Sequence, residues 1–165
     1  MNSDGGSSIA LPVRTMQIIW FAMLMGVSAF GAFVFLSHRG PPLAEPFITY
    51  IAVTSVAMAL VMSFILPSVM SNAAIKATIA SLRDMPQENA WAALVGVYQT
   101  KLIIGLAMLE GSAFFAIVAY QIEGLWWSLA AAGVALFFIV LRFPVASRVE
   151  YWCRSEYETV KMDSP

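Results

Sequence analysis

Leu102-Ile-Ile-Gly-Leu-Ala-Met-Leu-Glu110-Gly-Ser-Ala-Phe-Phe-Ala-Ile-Val-Ala-Tyr120 is an apolar run interrupted by one carboxylate. Its length suits a helix that crosses about 30 Å of hydrocarbon at about 1.5 Å per residue. Glu110 falls near the middle, where a charge costs most. A carboxylate there is expected to be neutral, paired or working.

Three further runs flank this one: Ile18–Ser37, Phe47–Leu66 and Leu125–Phe143. Apart from Glu110 and the terminal Arg142, none of the four carries a charge. The 165-residue chain is 60% hydrophobic and 12% charged, so its apolar content is concentrated well beyond that of a soluble domain. A soluble bundle needs a polar stripe on each helix, and a membrane β-barrel needs shorter alternating segments. Neither pattern is present. The sequence predicts an all-α integral membrane protein with four transmembrane helices. Arg14 and Val27-Ser28-Ala29 resemble parts of a signal peptide, but the apolar run continues through Phe35 and Leu36, which favours a retained helix.

Orientation follows from the basic residues. Arg14, Lys76, Arg83, Lys101, Arg142, Arg148, Arg154 and Lys161 fall on one side of a four-span arrangement, and Arg39 on the other. The positive-inside bias places both termini in the cytoplasm of a cell with an inner membrane. A net charge of −1 gives no sign of a nucleic-acid partner. Asp84, Glu88, Glu150, Glu156, Glu158 and Asp163 dilute the inner basic residues, which argues against a polybasic lipid-binding patch.

The chain also repeats itself. Aligning Thr15 with Thr100 places Ile18-Ile19 on Ile103-Ile104, Phe21-Ala22-Met23-Leu24 on Leu106-Ala107-Met108-Leu109, Gly26 on Gly111 and Phe30 on Phe115. Met25 falls where Glu110 stands, and the following spans end at Pro67 and Pro144. This predicts two duplicated helical hairpins in parallel orientation. The expected organisation is a disordered tail over 1–13, a transmembrane hairpin over 14–67, and a second over 100–144. Between the hairpins, 68–99 holds a cytoplasmic connection and the start of a long third helix; 145–165 forms a cytoplasmic amphipathic tail. Within the connection, Asn72–Leu82 reads as an amphipathic helix and Asp84-Met85-Pro86 as a helix start. Trp91, Tyr98 and Trp152 are candidate interface anchors.

Small residues recur at spacing four: Ala22 and Gly26, then Ser55, Ala59 and Ser63, then Ala107 and Gly111, then Ser128 and Ala132. That spacing lets helix backbones approach in lipid, where close van der Waals packing is a main cohesive force. Gly111 thins the helix beside Glu110, so a neighbouring helix or an ion is expected to come close there.

Thr100–Ala119 resembles the carboxylate-bearing helix of the ring-forming c subunit of rotary ATP synthases, the proteolipid family. The likeness rests on Ala107-Met108-Leu109-Glu110-Gly111, followed by Ala113, Phe115 and Val118. Arg83-Asp-Met-Pro86 resembles that family's polar loop. The resemblance implies a proton or sodium site at Glu110, with Gly111 and Ser112 beside it. Read without the resemblance, Glu110 has three open roles: a protonated structural glutamate, a reversible cation site, or a contact to a partner. Thr54, Ser55, Ser63, Ser128 and Tyr50 are further candidate hydrogen-bond partners.

No other chemistry stands out. His38 is alone in its loop, and Cys153 is the single cysteine. No zinc set, phosphate cradle, catalytic triad or haem-ligating span histidine is visible, so no cofactor and no enzymatic activity are expected. The expected role is a structural or accessory subunit of a membrane assembly, with the lipid bilayer and homo- or hetero-oligomeric membrane partners around it. The alternative is a c-like proteolipid or small ion transporter using Glu110.

Overall fold

The computed structural model describes residues 5–38, 40–42, 45–84 and 87–162, and within them the side chains of all but 5–9, 76–84, 87–88 and 160–161. The chain is entirely helical apart from its connections: α1 Gly5–Ser37, α2 Phe47–Asp84, α3 Gln87–Glu123, α4 Trp126–Leu141 and α5 Ala146–Met162. Three helices are long and apolar enough to cross a membrane, through Ala10–Ser37, Phe47–Ile75 and Asn89–Glu123. α4 has 16 residues and is bent by 70° from α5 across a short break; taken together, the pair brings the possible crossings to four. The result is a membrane-length helical bundle.

α3 is the central element, packing against α1, α2, α4 and α5. α4 packs against α1 and α2 as well, whereas α1 and α2 do not pack against each other among the described residues. The first expected hairpin is therefore splayed, with α3 and α4 between its helices. Lipid explains why this is possible: apolar faces gain no hydrophobic advantage from pairing with the nearest neighbour, so packing quality decides the partner.

The helices also reach further than the apolar runs. α1 begins at Gly5, inside the segment whose Gly/Ser composition reads as a tail, and Val13 and Met16 are buried at its start. α2 continues through Pro67 and makes one helix of the second span and the Asn72–Leu82 segment. α3 extends across an apolar stretch of 35 residues, about 50 Å, well beyond a hydrocarbon core.

Two kinds of interior result. In the apolar spans, Val27, Val34, Ala52, Val56, Ala113, Ala116, Ile117, Ala132 and Ala135 interlock, small residues letting the backbones approach. Toward the basic end, Val13 and Met16 of α1, Ile75 of α2, Leu94 and Val95 of α3, and Val149 and Cys153 of α5 form a separate cluster. Met16 and Leu94 are among its fully buried side chains. This cluster holds α5 against the bundle.

Candidate functional site

Glu110 lies on α3, about 14 Å along the axis from Lys101 and about 20 Å from Glu123, hence near the middle of the apolar stretch. It is half-buried, and no hydrogen bond or ion pair to it is seen among the described residues. Ser112, the nearest candidate partner in sequence, donates instead to the Leu109 carbonyl at 2.9 Å. Ser55, Ser63 and Ser128 likewise donate to their own helices, at Ala52, Leu60 and Leu125. Thr54 and Tyr50 are exposed on α2. The four serines thus spend their hydroxyl hydrogens on local backbone carbonyls.

Gly111 is exposed, and a Cβ placed there would meet nothing within 4 Å. Among the described residues, no neighbouring helix uses the space at Gly111. Ala107, Gly111, Phe115, Val118 and Ile122 form one exposed stripe along α3, with Glu110 at its edge. Ala22 and Gly26 of α1 are exposed too, whereas Ala59, Ser63, Ser128 and Ala132 are buried and Ser55 half-buried. The small residues of α2 and α4 therefore serve packing inside the bundle. Those of α1 and α3 open outward.

Two polar clips that the sequence reading missed fasten α2 to its neighbours. At one end, Glu123 closes α3 and is only 2% exposed. Its Oε1 accepts from the Ile48 amide at 2.6 Å and its Oε2 from the Thr49 amide at 2.7 Å. These amides open α2, where backbone donors have no helical acceptor and the helix dipole favours negative charge. Pro46 stands just before Phe47, where a capping Ser, Thr, Asp or Asn is usual; that omission was the available sign of a cap from elsewhere. The chain turns sharply after this carboxylate at Gly124, whose φ of 70° favours glycine.

At the other end, Pro67 sits inside α2 and has no N–H to give the carbonyl of Ser63. Arg142, at the C-terminus of α4, supplies the donor: its Nη2 lies 2.9 Å from both the Ser63 carbonyl and the Ser63 Oγ. The guanidinium lies over the Phe64 ring at 4.5 Å. Gly105 of α3 leaves the room for it, since a Cβ there would collide with Nη1 of Arg142. α1 is tied to the same end of α4: Trp20 Nε1 donates to the Ile139 carbonyl at 2.7 Å, and Gln17 Nε2 to the Pro144 carbonyl at 3.1 Å.

The three expected anchors are placed at the basic end. Trp91, Tyr98 and Trp152 pack against the Val13–Cys153 cluster, and the rings of Tyr98 and Trp152 are 5.4 Å apart. They are part of the bundle's own packing. At the opposite end, the ring of His38 lies 5.0 Å from that of Tyr120, and its Nε2 is 3.1 Å from the Gly40 carbonyl. Arg39, the lone basic residue expected on that side, lies outside the described residues, as do the side chains of Lys76, Arg83 and Glu88. Compared with protein-family models, curated proteins and solved structures, the chain matches none.

Proposed function

We propose that the chain is a four-span protein of the cytoplasmic membrane, with both termini and the basic end inside, and that it serves as a non-catalytic structural or accessory subunit of a larger assembly. α4 would complete the fourth crossing, its shortness of reach offset by a locally thinner bilayer and by the turn into α5. Within this reading the two hairpins descend from one, and α1 and α2 have since parted to admit α3 and α4.

The observation that carries the reading is Glu110 at the edge of an open stripe, mid-span, without a partner among the described residues. A carboxyl group facing lipid alone is costly, and a partner helix laid along Ala107 and Gly111 removes that cost. Reversible binding of a proton or sodium ion is the second reading. It is favoured by the same half-exposed position and by the resemblance of Thr100–Ala119 to the c-subunit helix.

A hydrophobic carbodiimide, which attacks protonated carboxyls reachable from lipid, separates them. A partner helix predicts that Glu110 is protected in native membranes and modified in the purified chain. An ion site predicts modification in native membranes that falls at higher pH or on adding sodium. Failure to modify Glu110 in either preparation, while a control carboxyl reacts, refutes both.

A further inference from the structure

At the basic end, α2, α3 and the α4–α5 junction enclose a cavity of about 270 Å³. Lys101, Arg142 and Arg148 line it, and no acidic residue does among the described residues. None of the three is ion-paired among the described residues. Glu150, Glu156 and Glu158, which dilute the basic residues along the sequence, are not among the residues that line the cavity. Glu110 is not involved, because nine residues along a helix turn its side chain to the opposite face of α3 from Lys101.

The cavity is also pre-arranged. Arg142 is held by Ser63 through Nη2 and by Phe64 beneath its plane, and among the described residues the rest of the guanidinium fork has no further acceptor. Lys101 Nζ is 5.6 Å from the Trp152 ring, which restrains it on the α5 side. The cost of ordering Arg142 and Lys101 is thus partly met before any ligand arrives, while the exposed Arg148 is ordered on binding. Three gathered cations call for an anion, and a planar arginine fork fits the oxygens of a phosphate. The Tyr98 hydroxyl is a further polar group on the lining. Phe64, also on the lining, is 56% exposed on the apolar span, so one wall of the cavity continues onto the lipid-facing surface.

We propose that this cavity binds a phosphate group through Lys101, Arg142 and Arg148, presented either as the headgroup phosphodiester of an anionic phospholipid or as free phosphate. The purified full chain in neutral detergent, supplied in turn with phosphatidylglycerol, phosphatidylcholine and inorganic phosphate, tests it by native mass spectrometry and thermal unfolding. Retention and stabilisation by phosphatidylglycerol over phosphatidylcholine, weakened by salt, assign the lipid headgroup. Stabilisation by inorganic phosphate, together with displacement of the lipid, assigns the free anion. Equal retention of both lipids with no response to phosphate overturns the proposal. The double variant Lys101→Gln/Arg148→Gln keeps the Arg142–Ser63 clip and is expected to weaken binding by about fivefold per charge removed. An unchanged affinity in that variant also overturns the proposal, and the wild-type comparison decides it even where the variant fails to fold.

Discussion

Arg142 Nη2 stands 2.9 Å from the carbonyl of Ser63, an acceptor that Pro67 leaves without its helical donor. A proline inside a span and an arginine at the end of another are each costly in lipid. Together they satisfy each other: the carbonyl gains a charged donor, and the guanidinium gains two acceptors. The pairing fixes α4 against α2 where the expected hairpin contact between α1 and α2 is missing.

Arg142→Ala should destabilise the purified chain by about 1.5–3 kcal/mol, the usual worth of a hydrogen bond to a charged group. Pro67→Ala restores an amide to the Ser63 carbonyl, so in that background the loss should shrink by about 1 kcal/mol. Gly105→Ala should act like the arginine variant, because its methyl takes the place of Nη1 and approaches the Ser63 carbonyl at 3.3 Å. Unfolding in mixed micelles measures all three. An equal penalty for Arg142→Ala with and without Pro67 would show that the proline and the arginine are not coupled.

Glu123 should behave as the cap of α2. Glu123→Ala removes the acceptors for both Ile48 and Thr49 and is expected to cost about 1–2 kcal/mol. Glu123→Gln keeps one side-chain oxygen and should fall between. Amide exchange provides the local readout: Ile48 and Thr49 lose protection in the alanine variant while the middle of α2 keeps it. Unchanged protection at both amides removes the capping role.

Three membrane-length helices were legible in the sequence because long uncharged runs have few other uses. Which helix would touch which was not. In Phe47–Leu66 the residues packed inside the bundle, Ala52, Val56, Ala59 and Ser63, are small and mostly apolar, so no continuous polar stripe marks the packed side. Ser63 and Arg142 lie far apart along the chain, and Pro67 reads as a span terminator until the helix is seen to continue through it. Glu123 falls three residues beyond the run that ends at Tyr120, and only its position over the first amides of α2 gives it a task. Glu110 was recognisable because one carboxylate in an apolar run needs no fold to stand out. The openness of Gly111 beside it needed the positions of all the other helices.

Cys153 tests the packing of α5, which carries Arg148, Glu150, Arg154, Glu156 and Glu158 and lies outside the apolar spans. Burial, helped by the nearby Glu156 charge, pushes its thiol from 9.0 up to about 11. At pH 8 the folded chain should therefore hold about 100-fold less thiolate than an unperturbed cysteine, and a maleimide should label it slowly. The raised value fixes the sign of the pH effect. The stabilisation from burying the neutral thiol is full below about 9 and is lost as pH rises toward about 11. Rapid labelling of the native protein at pH 8 would mean that α5 does not stay docked on Val13 and Leu94.

Under the proposed accessory role, Gly111 separates what the chain needs for itself from what a partner needs of it. A Cβ there meets nothing, so Gly111→Ala should raise the stability of the isolated chain by about 0.5–1 kcal/mol through helix propensity alone. Gly111→Leu should leave the purified protein folded, with its melting temperature within a few degrees of wild type. In native membranes the same leucine occupies the space that a close-packed helix needs beside Glu110, so the assembly should dissociate on a sizing column and Glu110 should become reactive to carbodiimide. If Gly111→Leu leaves the assembly intact and Glu110 protected, then the stripe from Ala107 to Ile122 faces lipid and the partner lies on another surface.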